Sequence, residues 1–226
     1  MNLIELTWSW LSDPEQWSGS AGIPMRILEH LEYSGLTMLI AVVLAVPLGA
    51  AIGHTGRGAA AVIGAAGALR ALPTLGLLTL FSLLMGLGLV PPLLALVILA
   101  VPPILSAACV GVAEVSPRVR DAVIAQGMTP WQVLTRVELP LAVPLIMGGV
   151  RNAALQVIST TTVAAYINLG GLGRYLIDGL AVRDYGRMLG SVLLVAVLAL
   201  LVDALLSLLQ RGLTSPGIRR PEGGTP

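Results

Sequence analysis

The sequence predicts an all-α, polytopic membrane protein: a helical bundle of five transmembrane spans with short helices between two of them. Two observations carry this. Only 11% of the 226 residues are charged, against roughly 25% in a soluble domain. The charges that exist are also unevenly placed, so that stretches such as 36–52 and 189–202 hold no ionisable group. Apolar runs of about 20 residues are what a hydrocarbon layer of roughly 30 Å requires of a helix. Several such runs in one short chain leave too little polar surface to cover them in water.

The spans follow in order. The first is 33–53, with Pro47 as a kink. Residues 58–70 are small and apolar, too short to cross, and read as a surface helix leading into a second span, 71–89. Joining the two would bring Arg70 towards mid-membrane, which is costly. The third span is 91–113, bent by Pro102-Pro103; the fourth is 139–166 and the fifth 188–210. Residues 1–24 carry Glu5, Asp13 and Glu15, with no basic start, and do not read as a signal peptide. Their tryptophans, Trp8, Trp10 and Trp17, suit a segment at the membrane interface, where indole rings concentrate.

Arginine placement sets the orientation. With the N-terminus outside, Arg57, Arg70, Arg118, Arg120, Arg136, Arg211, Arg219 and Arg220 lie inside, and Arg26, Arg174, Arg183 and Arg187 outside. This is the positive-inside asymmetry. It makes 114–140 cytoplasmic, 167–187 external and the C-terminus cytoplasmic.

Composition also excludes chemistry. All thirteen basic residues are arginine, so the lysine of a phosphate-binding P-loop is missing, and Schiff-base catalysis is impossible. The single cysteine, Cys109, rules out an internal disulfide and argues against a thiol-ligated metal. His30 and His54 stand at opposite ends of the first apolar run and cannot form a pair with each other. No nucleophile–base set, HExxH motif or acidic metal cluster supports an intramembrane enzyme.

The polar interruption at 114–140 is the most informative segment. Ser116-Pro117 can start a helix with a capping hydroxyl and proline at the first position. Gly127 can stop it. Thr129-Pro130 then starts a second short helix through about Val137, before Leu139-Pro140 opens the next span. Asp121, Ala122, Ala125 and Gln126 form a compact small-residue surface, which suits either a protein partner or an ordinary solvated loop.

The spacing distinguishes these. Asp121-Ala122-Val123, three residues, Gly127, nine residues, then Val137-Glu138-Leu139-Pro140 resembles the Glu-Ala-Ala loop of type-1 ABC import permeases, with Asp for the usual Glu. Arg70-Ala71-Leu72-Pro73, Val46-Pro47-Leu48-Gly49 and the run Glu138 to Arg151 are similar to the osmoprotectant branch, whose permeases serve glycine betaine, proline betaine, carnitine and choline. So are Gly170-Gly171-Leu172-Gly173 and Asp203 in the last span. The resemblance covers about 28–211. It implies an interfacial segment at 1–27, a transmembrane permease domain at 28–211 with its coupling loop at 114–140, and a disordered cytoplasmic tail at 212–226. It implies that Asp121, Ala122, Ala125, Gln126, Gly127, Met128 and Pro130 meet an ATPase subunit that carries the ATP and Mg, with no cofactor on this chain. It further implies a second permease subunit, identical or paralogous, an extracytoplasmic substrate-binding protein, and a bacterial inner-membrane setting; nucleic acid has no place in it. A methionine or other amino-acid permease and a stand-alone channel are the competing readings.

Within the fourth span, Asn152, Gln156, Ser159, Thr160 and Val163 fall on one helical face. They read equally as a pore-lining stripe or as interhelical hydrogen-bonding groups. Arg151 costs roughly 2.5–3.5 kcal/mol in mid-membrane on insertion scales. It lies about 16 Å along its helix from Pro140, and Asp203 lies about 12 Å from Arg211, so the two are expected to pair. Only nine aromatic residues are present, and most fall at ends and loops, so no aromatic cage for a quaternary ammonium is visible. Specificity is expected to reside in the separate binding protein.

Overall fold

The computed structural model describes residues 2–214. The expected tail at 212–226, including Arg219 and Arg220, lies almost wholly outside them. Ten α-helices form the described chain: α1 (Leu3–Ser12), α2 (Ile23–Thr55), α3 (Ala59–Arg70), α4 (Thr74–Met85), α5 (Val90–Ala113), α6 (Pro117–Ala125), α7 (Pro130–Val133), α8 (Leu139–Ala164), α9 (Gly173–Val182) and α10 (Tyr185–Leu213). No strand occurs among the described residues. Four continuous stretches, within Ile23–Thr55, Val90–Ala113, Pro130–Ile167 and Tyr185–Leu213, are long and apolar enough to cross a membrane; the bent α3–α4 pair makes a fifth if counted as one span.

The bundle is organised around α5, which is packed by α2, α3, α4 and α8. On α2 the face towards α5 is a ladder of small residues, Ala41, Ala45, Gly49 and Gly53, spaced four apart. A Cβ on Gly49 would lie 2.6 Å from the Leu105 carbonyl oxygen, and one on Gly53 would lie 2.4 Å from that of Cys109. The two backbones therefore touch, which is how helices gain contact where lipid removes the hydrophobic drive between them. The same device joins α5 to α8, where a Cβ on Gly149 would be 2.3 Å from the Ala107 Cβ. Ile104, Ala108 and Val112 of α5 fill the space between α2 and the α8 residues Ile146, Val150, Ala153 and Val157.

Pro102 and Pro103 sit inside α5 without ending it. Pro103 has no N–H to offer the Leu99 carbonyl. The Gln156 side-chain amide of α8 donates to that carbonyl over 3.5 Å.

Three expectations need correction. The helix that carries the first span begins at Ile23, ten residues before the expected start, so residues 23–27 of the expected N-terminal segment are helical. Its polar turns are admitted because Arg26 pairs with Glu29 at 2.8 Å and His30 bonds the Ile158 carbonyl at 3.0 Å. Residues 58–70 are not a surface helix: α3 packs Ala61, Val62, Ala65 and Leu69 beside Val101, Pro102 and Leu105, midway along α5. Nor is 71–89 one span. α4 has 12 residues, about 18 Å, and meets α3 at an 87° bend, Pro73 serving as its N-cap.

The N-terminal helix α1 lies against the start of α10. Gly186 admits the Leu6 backbone and Gly190 admits the Trp10 ring, which also meets Tyr175 edge-on at 5.1 Å. Further along α10, the row Leu193, Val197, Leu200, Leu201, Leu205 and Leu208 is exposed and is not covered by any other of the described residues. In a spanning helix such an apolar face is open to lipid or to a second subunit.

Candidate functional site: the coupling segment and the paired helices

Between α5 and α8 the chain forms two short helices at one end of the bundle. Ser116 precedes α6 but its hydroxyl makes no capping bond; its carbonyl accepts from the Val119 and Arg120 amides instead. Pro117 opens the helix, and Gly127 closes it at φ +87°, a left-handed conformation that a side chain disfavours. Thr129 and Gln132 then form a reciprocal capping box at the start of α7.

The second short helix does not stop at Val137. α7 runs through a π-helical turn, Leu134–Glu138, directly into α8, making one helical stretch from Pro130 to Ile167. The capping box and Pro130 explain its start; nothing ends it before the span.

Asp121, Ala122, Ala125, Gln126 and Gly127 are exposed, as is Pro130; Met128 is half-buried. Ile124 and Trp131 add exposed apolar surface beside them. This gives a small-residue platform with an apolar rim, while Arg120 and Val123 of the same helix turn towards the bundle.

Glu138, which the motif spacing treats as a free position, is the feature that sequence reasoning missed. It is 0% exposed. Its Oε2 accepts from His54 Nδ1 at 2.6 Å, and its Oε1 accepts from Arg120 Nε. Arg120 Nη2 also donates to the Val112 carbonyl at 2.7 Å. His54 cannot pair with His30; its partner is a carboxylate 84 positions later.

Arg151 and Asp203 meet in a two-pronged pair, Nε–Oδ1 and Nη2–Oδ2 both 2.8 Å. Arg151 Nη1 donates to Gln210 Oε1 at 3.3 Å, and the Gln210 amide donates to the Pro144 carbonyl at 3.0 Å. Parallel bonding of this kind fixes orientation as well as charge. Replacing Asp203 by Asn should leave a cation without its partner among lipid-facing helices. The amount of assembled protein in membranes should then fall several-fold, as it should for Arg151→Gln. If Asp203→Asn retains normal assembly and transport while Arg151→Gln loses both, the pair is not what matters.

On α8, Asn152, Ser159 and Val163 share an exposed face, with Gln156 half-buried beside them. Thr160 does not join them. It is only 9% exposed and turns into the bundle, about 100° around the helix from Ser159. At the far end of the bundle, the glycine motif is held from below by α2. Glu29 Oε2 accepts the Gly171 amide at 2.8 Å, and Gly171 adopts φ +80° over His30. A Cβ on Gly170 would strike Glu29, and one on Gly173 would lie 2.2 Å from the Thr162 carbonyl oxygen. Burial, opposed by Arg26 and Arg187, raises the Tyr175 phenol above its ordinary pKa, and its O–H donates to the Ala21 carbonyl at 2.5 Å.

Residues 41–215 match the family model described as "Binding-protein-dependent transport system inner membrane component". The chain belongs to this family of ABC importer permeases. The permease is 36% identical over 191 residues to the glycine betaine/carnitine/choline transport system permease protein OpuCB of Bacillus subtilis, covering 84% of this chain and 88% of that one. It is 36% identical over 196 residues to the osmoprotectant import permease protein OsmW of Salmonella typhimurium, covering 84% and 91%. Among solved structures, an inward-facing conformation of the MetNI methionine ABC transporter superimposes with a TM-score of 0.75 over 90% of this chain and 100% of that one, at 21% identity. At that identity the likeness establishes the type-1 permease fold.

Proposed function

We propose that the permease forms the translocation path for quaternary ammonium osmoprotectants, of the glycine betaine, carnitine and choline class, in an ATP-driven importer. The observation that carries the substrate class is the similarity to permeases named for those compounds over more than four-fifths of the chain. The methionine reading rests on shared fold alone. In this reading the permease hydrolyses nothing itself. ATP and Mg bind a separate ATPase subunit, which docks on Asp121, Ala122, Ala125, Gln126, Gly127, Met128 and Pro130. The exposure of that platform supports the docking. The arginine asymmetry supports a cytoplasmic face for α6, an external N-terminus and an inner-membrane setting.

A second permease subunit faces the exposed α8 stripe. Asn152 and Ser159 are exposed, and such groups are poorly suited to lipid. They line a path between two subunits, and Gln156 borders it. Neutral oxygens pass a quaternary ammonium without holding it. An extracytoplasmic binding protein selects the substrate and meets the end of the bundle that carries Gly170, Gly171 and Gly173.

Reconstitution in proteoliposomes with the ATPase and binding protein tests this. ATP-dependent, saturable uptake of labelled glycine betaine or choline is expected, with none of methionine. Methionine uptake would move the permease to the amino-acid class, and uptake indifferent to ATP would make it a channel.

A further inference from the structure

The buried contacts of Glu138 join parts of the chain that the importer must move together. A carboxylate out of water is costly unless paired and hydrogen-bonded, and Glu138 is fully buried at the edge of an otherwise solvated segment. Its two oxygens are divided. One takes Arg120 of α6, the other His54 in the last turn of α2. Arg120 uses a further nitrogen to cap the Val112 carbonyl in the last turn of α5. That carbonyl also takes the Val115 amide at 3.3 Å, and the C-terminal end of a helix favours a cation. The π-helical turn ends at Glu138 and leads into α8. A π turn changes which face a residue occupies, and such turns are frequent at functional positions. One carboxylate and one guanidinium therefore tie α6 to the ends of α2 and α5 and to the root of α8.

The remaining hold on α6 is weak. Val123 is half-buried, and Val119, Asp121, Ala122, Ile124 and Ala125 are exposed. Gly127 leaves the backbone free to swivel at its end. Without the ion pair, α6 could be displaced without carrying the spans along.

We propose that Glu138, acting through Arg120 and His54, is a positioning residue that makes displacement of the docking helix α6 move α2, α5 and α8 as one body. This rests on the importer reading. It concerns the face of α6 turned away from the ATPase, so it is separate from docking itself.

The test measures substrate molecules taken up per ATP hydrolysed by the complete reconstituted complex, for Glu138→Gln, Arg120→Met and both together. Misfolding lowers both rates in proportion and leaves their ratio unchanged; loss of the tie lowers the ratio. A fall of about tenfold is expected in each single variant, the scale of one charge-assisted hydrogen bond. The double variant should fall no further, because both changes break one connection. Arg120→Lys, which has no fork to serve two acceptors, should fall between. A ratio equal to wild type in both single variants overturns the proposal. Should Glu138→Gln fail to assemble, Arg120→Met decides alone, since that side chain is a quarter exposed. A wild-type complex without ATP-driven uptake would count against the importer reading instead. In that case hydrogen–deuterium exchange over 117–125 in the membrane-embedded chain still decides: faster exchange in the variants supports the tie, and unchanged exchange overturns it.

Discussion

Gly53→Val should strongly destabilise the folded permease and lower its melting temperature. The added Cβ alone would sit 2.4 Å from the Cys109 carbonyl oxygen and 3.0 Å from the Val112 Cβ. Neither can retreat, because one is helix backbone and the other is fully buried. The helices must separate, which also loosens the contact at Gly49 one turn away. Overpacking of well-packed cores costs typically 1–3 kcal/mol, and a clash against backbone belongs at or above about 3 kcal/mol. That is a large share of an ordinary stability. Thermal melting of the detergent-solubilised protein, followed by size-exclusion profile, measures it. Gly35→Ala, on the same helix with open space around it, is the control and should melt at or slightly above wild type. A Gly53→Val protein that melts as wild type would mean that α2 and α5 do not touch through their backbones.

Ala122→Arg should separate the permease from its ATPase while leaving the permease folded. Ala122 is exposed at the middle of α6, between Asp121 and the exposed Ile124 and Ala125. A small residue there permits close approach, and a long cation forbids it. The few hot-spot positions near the centre of an interface cost about 2 kcal/mol or more when disrupted, so association should weaken by about thirty-fold or more. Co-purification of the ATPase and ATP-dependent uptake should both be lost, with a normal melting curve for the permease alone. Retained co-purification at wild-type affinity would place the docking surface elsewhere.

The spans were legible where apolar residues dominate a long run, as in α5, α8 and α10. They were not legible where tertiary partners neutralise polar residues. Arg26, Glu29 and His30 precede the expected first span, yet they lie within α2, where Arg26 pairs with Glu29, Glu29 takes the Gly171 amide and His30 Nε2 meets the Ile158 carbonyl. The α3–α4 bend was hidden because apolar composition is the same on a surface, in a span and in a broken span. Only packing against the middle of α5 separates the three. In the segment 114–140, the spacing picked out Asp121, Ala122, Ala125, Gln126 and Gly127, which are exposed. Glu138 escaped notice. Its partners come from two other helices, α2 and α6, and a π turn leads up to it. Thr160 shows the limit of helical periodicity: a five-residue stripe was wide enough to include a side chain that turns inward.

The outer row of α10 has an evolutionary consequence. Leu193, Val197, Leu200, Leu201, Leu205 and Leu208 are not covered by the described residues, so within the subunit any apolar residue serves at those positions and the row is free to drift. Gly186, Gly190, Ser191, Asp203 and Gln210 are not, because each meets a defined group on another helix or loop. Among relatives of this permease, the last span should therefore keep five fixed points in an otherwise changing run of leucines, and a comparison of sequences would mark the buried side of the helix without any structure.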